Sequence, residues 1–403
     1  MNPDAGLPRY SFKRLAHVSR NIRILFVQQF LEGLVPIYAL YPIMFGRVGG
    51  LSIEQIGFLF AIWSLAYLVS ELPSGVLADY WSRKNVMILG GVARGFAFLI
   101  WLLSPTFTGY AVGFALWGFT IACSSGSSTA YLHSELTTEG KEHQFAKYLG
   151  RLKSMYWAGT LLGFLIAAIL TLKHSTILLT ISIASSFIYS AVLLFATEHP
   201  YERQDSYIKT LIAGFQEVMR SKKLRYLCTV MFSIYLIIGV LEELFPRLYA
   251  GLGLSDTIVA LISAFCMSVV VLLLVKIERF VKFSYSKQVL IMSAALILLV
   301  TGVAIGKSYA AVLILMFNLV YQLFRPVFEH HIQDVAKGSE RATIGSIPGL
   351  IGGLLGAGVF AVLGKVSAIT SERSAIAYYG IIWFFLMLIL SACGMKFSRK
   401  PAR

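Results

Sequence analysis

The side chains that could do chemistry here are ionisable groups set inside long apolar stretches. Glu32 follows Gln28 by one helical turn, with Gln29 beside it, so its segment carries a polar face. Glu32 lies nine residues past Arg23, Glu71 eight before Asp79, Arg94 ten past Lys84 and Arg325 nine before Asp334. At ~1.5 Å of rise per residue, all four lie about 12–15 Å from the polar end of their own segment. Charges at that depth in a membrane are costly and mark function by default. Glu71 and Arg94 fall on consecutive antiparallel segments and could form a buried pair, either structural or part of a transport path. Arg325 and Glu329 are spaced i, i+4 and could pair on one helix face. Glu242 and Glu243 stand seventeen and eighteen residues past Arg225, about 26 Å along a helix. That places them at an outer mouth, as a gate, a lure for cations or a solvated rim. His330 and His331 point about 100° apart on a helix, which makes a poor metal site. No metal set and no cofactor motif is expected.

The elements holding these groups follow from composition. Of 403 residues, 57% are hydrophobic and 14% charged, and mean hydropathy is +0.73. A soluble chain carries about a quarter charged residues, so the bilayer is the expected solvent. Apolar runs long enough to cross fall near 22–45, 54–79, 86–104, 109–136, 148–171 and 176–196. A second set lies near 224–247, 255–277, 287–305, 309–334, 342–364 and 375–395. The first run is too long for a signal peptide and reads as an uncleaved span. With both termini inside, 27 of the 35 Lys and Arg residues fall in inside segments, 6 in outside loops and 2 within spans. The positive-inside rule thus orients the chain in a cytoplasmic (inner) membrane with both termini cytoplasmic. The net charge of +15 then marks the cytoplasmic face rather than a nucleic-acid partner. Cys123, Cys228, Cys266 and Cys393 all lie in apolar stretches, where small packed residues are expected.

The two sets of spans repeat at an offset of about 200 residues. Ile22-Arg23-Ile24-Leu25 matches Leu224-Arg225-Tyr226-Leu227, and Tyr41-Pro42 matches Phe245-Pro246. Gly50-Leu51-Ser52 recurs as Gly253-Leu254-Ser255, each Ser a natural N-cap. His133, Gly140 and Glu142 recur as His331, Gly338 and Glu340. The expected organisation is an all-α membrane protein of 12 transmembrane helices in two six-helix bundles, residues 1–196 and 224–403. Between them, 197–223 is a cytoplasmic linker whose Tyr207–Arg220 has the apolar spacing of an amphipathic surface helix.

Between spans two and three stands Gly75-Val76-Leu77-Ala78-Asp79-Tyr80-Trp81-Ser82-Arg83-Lys84. A Gly, an Asp four residues on, and a basic pair after it resemble the signature of the major facilitator superfamily. Ser82 replaces a common Gly and Tyr80 a common basic residue. On spacing alone, Gly75 and Asp79 share a helix face where Gly75 would admit a neighbouring helix, and Asp79 can pair with Arg83. The resemblance implies that Asp79 faces the eleventh span near Thr343, so that Gly75, Asp79, Arg83 and Lys84 form a cytoplasmic gate. It also implies that the first, fourth, seventh and tenth spans line a central cavity, which puts Glu32 and Arg325 on the substrate path. Glu32 is then the expected proton carrier, with Gln28, Arg325 and Glu329 beside it.

The eleventh span is rich in small residues (Gly345, Gly349, Gly352, Gly353 and Gly356), which suits sliding helix contacts. The fifth span has Gly159 and Gly163 without a following Pro, unlike drug–proton antiporters of the family. No phosphate-binding loop is present, which argues against ATP-driven transport. The expected function is secondary transport of a small molecule by alternating access, proton-coupled and outward, in a monomer without cofactor. Uptake of a nutrient or metal chelate is the alternative direction. A lipid-processing enzyme would have to draw on His133, Glu135, Glu329 and His330.

Overall fold

A computed structural model describes residues 19–124, 127–198, 207–274, 277–336 and 341–398. The side chains of residues 72, 79, 80, 207–211, 274, 278, 341–343, 346 and 398 lie outside this description. Among the described residues, eleven helical stretches are long and apolar enough to cross a membrane. The twelfth span, first in the chain, is broken into α1 (Arg20–Gly33), a 3-10 turn (Pro36–Ala39) and α2 (Tyr41–Arg47). The sequence reading expected one continuous helix here. Pro36 lacks an N–H and drives Val35 out of helical geometry (φ −129°, ψ 85°), and Pro42 starts α2 afresh.

The rest of the first bundle is α3 (Ile53–Tyr80), α4 (Arg83–Leu103), α5 (Phe107–Ser124) with α6 (Ser127–Thr138), α7 (Phe145–Leu170) and α8 (Ser175–Leu194). An amphipathic helix, α9 (Tyr207–Arg220), follows and packs on two helices of the second bundle. Its Ile212, Phe215 and Met219 are exposed, as a helix on a lipid surface requires. The second bundle holds α10 (Lys222–Gly251), α11 (Asp256–Leu274) with α12 (Ile277–Val281), α13 (Tyr285–Ile305), α14 (Ala311–Val335), α15 (Arg341–Ile369) and α16 (Glu372–Ser398). The repeated serines do cap their helices: Ser52 Oγ accepts from Gln55 N at 3.2 Å, and Ser255 Oγ from Ile258 N at 3.4 Å.

Within the first bundle α1 lies on α7 and α8, while α5 stands between α3 and α4. A Cβ at Gly33 would stand 2.0 Å from the Tyr156 carbonyl, and one at Gly159 2.0 Å from that of Phe30. Backbone therefore meets backbone where α1 crosses α7, a contact that packing in lipid rewards. In the second bundle α10 packs on α14 and α15, and α13 on α14 and α16. Among the described residues the bundles meet mainly where α3 packs on α15, α7 on α11 and α2 on α10.

Candidate functional site: a charged cleft between the bundles

One wall of the cleft is the end of α1. Gln28 and Gln29 are buried, and both donate amide hydrogen bonds to one carboxylate oxygen of half-buried Glu32, that from Gln28 at 3.0 Å. The break beyond Glu32 frees carbonyls at membrane depth, which must find donors. Buried Arg94 of α4 supplies them: Nη1 donates to the Glu32 carbonyl at 2.8 Å and Nη2 to that of Leu31 at 3.4 Å. Its Nε donates to Ser186 Oγ at 3.0 Å, and the guanidinium lies 5.2 Å from the Tyr189 ring centre. Ser185 Oγ reaches the carbonyls of Leu31 and Leu34 at 3.0 and 2.6 Å. The Ile37 amide donates to Ser182 Oγ at 3.4 Å.

The facing wall belongs to α10 and α14. Gln322, Arg325 and Glu329 share one face of α14, and Tyr235 and Glu242 one face of α10. Gln322 Nε2 donates to Glu242 at 3.1 Å, and Arg325 Nε stands 3.7 Å from Glu329. The Arg325 guanidinium lies 4.9 Å from the Tyr235 ring centre, and the Tyr235 hydroxyl donates to Glu329 at 3.4 Å. The Arg325 and Glu329 side chains are 37% and 47% exposed although they lie well inside the helix. Tyr156 of α7 feels the charge of Glu32 on one wall and of Glu242 on the other.

The cleft is shut at the end opposite the basic loops. Arg47 at the end of α2 pairs with Asp256 at the start of α11 at 2.6 Å, and Asp256 also accepts from the Leu172 amide at 3.3 Å. The Tyr41 hydroxyl donates to Glu243 across the seam, and Arg247 Nη1 reaches the Pro42 carbonyl at 3.5 Å. Lower down, Ser64 Oγ donates to the Gly353 carbonyl at 2.6 Å, and Phe60 stacks on Phe360 at 5.0 Å. Among the described residues, these polar contacts between the bundles run from mid-membrane to the shut end.

Three expectations change against this geometry. Arg94 does not pair with Glu71. It is turned toward α1 and α8, whereas Glu71 lies near Cys123 of α5, the helix that separates α3 from α4. Glu242 and Glu243 are not at an outer mouth, because α10 continues to Gly251, roughly 12 Å beyond them. Glu242 joins the midplane layer and Glu243 the seam. Among the described residues no neighbouring helix meets Gly75: nothing stands within 4 Å of a Cβ placed there. The close approach falls instead where α3 crosses α15, with a Cβ at Gly57 only 2.9 Å from the Gly364 Cα.

Around the gate motif, Arg83 Nη1 donates to the Ala130 carbonyl at 3.1 Å and to Ser134 Oγ at 3.0 Å, bracing α4 on α6. Lys84 holds the Ala196 carbonyl at 3.1 Å. Ser82, which departs from the family pattern, caps α4 by accepting from Asn85 N at 3.0 Å. The Asp79 side chain and its expected partner near Thr343 lie outside the described residues. The four residues considered for enzyme chemistry do not gather. Glu135 is buried against Asn21 at 2.9 Å in the first bundle, while Glu329 and His330 belong to the second. The sequence reading passed over Arg47, Tyr41, Asp256, Tyr235 and Gln322. Tyr235 and Gln322 sit at helical spacing from Glu242 and Arg325, and that spacing could have flagged them.

Two helical bundles facing across a charged cleft sealed at one end define a membrane carrier. The Major Facilitator Superfamily model matches residues 24–400. The chain belongs to that superfamily, a family of solute transporters rather than enzymes. It is 27% identical over 234 residues to the Staphyloferrin B transporter of Staphylococcus aureus (strain NCTC 8325 / PS 47). That match covers 55% of this chain and 53% of the relative, so the chain spans about half the length of the curated relative it matches. In fold it is similar to the nucleoside transporter NupG (TM-score 0.73, 15% identity, 95% of this chain and 100% of that one). It is likewise similar to a D-xylose–proton symporter (TM-score 0.72, 14% identity, 94% and 97%).

Proposed function

We propose that this chain is a secondary transporter that moves a small organic molecule across the cytoplasmic membrane by alternating access, coupled to protons and directed outward. The carrying observation is the cleft itself. Glu32 on one wall faces the Glu242–Gln322 and Arg325–Glu329 layer on the other, and the named contacts between the bundles seal the end away from the basic loops. By the positive-inside rule the basic end is cytoplasmic, as are both termini, so this state is shut toward the outside. Residues 1–196 and 224–403 are the two bodies that rock, tethered by 197–223, and the chain works as a monomer. Glu32 carries the proton, with Gln28 holding its carboxylate, while Arg325 and Glu329 meet the solute. Asp79 with Arg83 and Lys84 closes the cytoplasmic end in the opposite state.

The test is solute-induced proton movement in proteoliposomes, comparing wild type with Glu32→Gln. Staphyloferrin B is the first solute to try, because the curated relative bears its name. Loss of proton movement with solute binding retained is expected. Normal coupling in the variant would remove Glu32 from the proton path. Direction is read separately in everted vesicles under an inside-acid gradient. Accumulation there supports export, whereas uptake by whole cells with none in the vesicles gives the reverse direction.

A further inference from the structure

We propose that Arg94 is a positioning residue of the cleft, a resident cation that grips the broken end of α1 by its main chain and so sets where Glu32 stands. The inference deepens the reading of Glu32 given above and rests on it. It starts from the peptide groups that the break leaves without helical partners. The carbonyls of Leu31, Glu32 and Leu34 and the amide of Ile37 would be costly if left bare at this depth. Each is met by a side chain from α4 or α8: Arg94, Ser185 and Ser182. The set is matched in charge as well as in number. The C-terminal end of α1 carries the negative pole of its helix dipole, and a guanidinium there is the favoured group. Discontinuous spans elsewhere use freed carbonyls to hold a bound cation. Here the cation is covalently part of the protein.

Arg94 is 3% exposed, and among the described residues no carboxylate lies within 4 Å of its nitrogens. Its charge is solvated by main-chain carbonyls, the Ser186 hydroxyl and the Tyr189 ring, with no carboxylate among these direct contacts. Such a group does not touch the solute. It acts through the peptide of Glu32, whose carbonyl it holds at 2.8 Å while the carboxylate of the same residue is held by Gln28. The Glu32 backbone is pinned from α4 and its side chain from α1. The remainder of the span, carrying Tyr41 and Arg47 to the shut end, is thereby left as a separate segment.

The experiment uses the full chain in detergent with Cys393→Ser as background, since Cys393 is an exposed thiol. A thiol is placed on one wall by Glu32→Cys or on the other by Tyr235→Cys, and its rate with a charged methanethiosulfonate is followed. Adding Arg94→Gln removes a charge-assisted grip and is expected to change the Glu32→Cys rate about tenfold while the Tyr235→Cys rate stays within about twofold. Arg94→Lys keeps the charge but not the fork, so an intermediate change of about threefold is expected at position 32 alone. It also serves should Arg94→Gln not fold. Unchanged rates at position 32 in the variants that fold would overturn the proposal. So would equal changes at both positions, which would make Arg94 a general stabiliser. Because no gradient or solute enters, the result stands or falls separately from proton coupling and transport.

Discussion

The hydroxyl of Tyr41 on α2 donates to the carboxylate of Glu243 on α10, and the two residues belong to different bundles. Tyr41 is 4% exposed and is fixed by the rings of Phe45, Phe60, Trp101, Phe114 and Trp117 at 5.5–6.1 Å. Its hydroxyl is therefore a donor that cannot follow Glu243 when the bundles part. Tyr41→Phe keeps the ring packing and removes the donor alone. The shut end should then open more often, by about fivefold for a net hydrogen bond of ~1 kcal/mol. A thiol introduced by Ile43→Cys, at a side chain buried beside the seam, reports this as faster labelling from the outside. An unchanged rate would show that the bond does not hold the seam.

Asp256 does more at the same end than its ion pair suggests. Arg47 is 51% exposed, and an exposed pair is worth at most about 1 kcal/mol. Asp256 is only 12% exposed and also accepts from the Leu172 amide, tying the α7–α8 turn to α11. Arg47→Ala should lower the thermal unfolding midpoint little. Asp256→Ala leaves Arg47 and the Leu172 amide both without this partner and should cost about 1–3 kcal/mol. Equal midpoints for the two variants would mean that the bond to Leu172 contributes nothing.

How far the chain could be read before its structure was seen divides along physical lines. Span number, bundle order and the helix at Tyr207–Arg220 follow from apolar length and spacing, which lipid enforces strictly. The Arg325–Glu329 proximity follows from i, i+4 geometry within one helix. What failed depends on which helices are neighbours. Glu71 and Arg94 are close along the chain, but α5 intervenes, and sequence order does not reveal that. The break at Pro36 was visible, since Gly33, Pro36 and Pro42 lie within ten residues, yet hydropathy averages over it. The socket that stabilises the break is three serines and an arginine on other helices, and serine in an apolar run carries no distinctive signal.

At the basic end of the first bundle, Asn21 is a three-way tie. Its Nδ2 donates to buried Glu135 at 2.9 Å and to the Thr197 carbonyl at 2.9 Å, and its Oδ1 accepts from the Thr197 amide at 3.1 Å. Asn21→Ala should lower stability by about 1–3 kcal/mol, because buried groups on α6 and after α8 lose a partner together. Asn21→Asp should be worse, since it sets a second carboxylate against Glu135. The order of the two unfolding midpoints checks this, and an Asn21→Asp protein as stable as Asn21→Ala would contradict it.

The two glycines of α3 separate its two ends. At Gly57 an added Cβ would stand 2.7 Å from the Phe360 carbonyl and 2.9 Å from the Gly364 Cα, both backbone atoms that cannot swing aside. Gly57→Ala must therefore push α3 from α15 just where the seam is tightest, at a cost of about 1–3 kcal/mol. At Gly75 the same methyl meets nothing within 4 Å, and alanine is the better helix former by up to ~1 kcal/mol. Gly75→Ala should hold or raise the unfolding midpoint of this state, while Gly57→Ala lowers it. Turnover adds a second contrast. If the Gly75 face closes against α15 when the carrier faces the other way, Gly75→Ala should slow transport while leaving the midpoint intact. A Gly75→Ala protein with unaltered turnover would remove that face from the cytoplasmic gate.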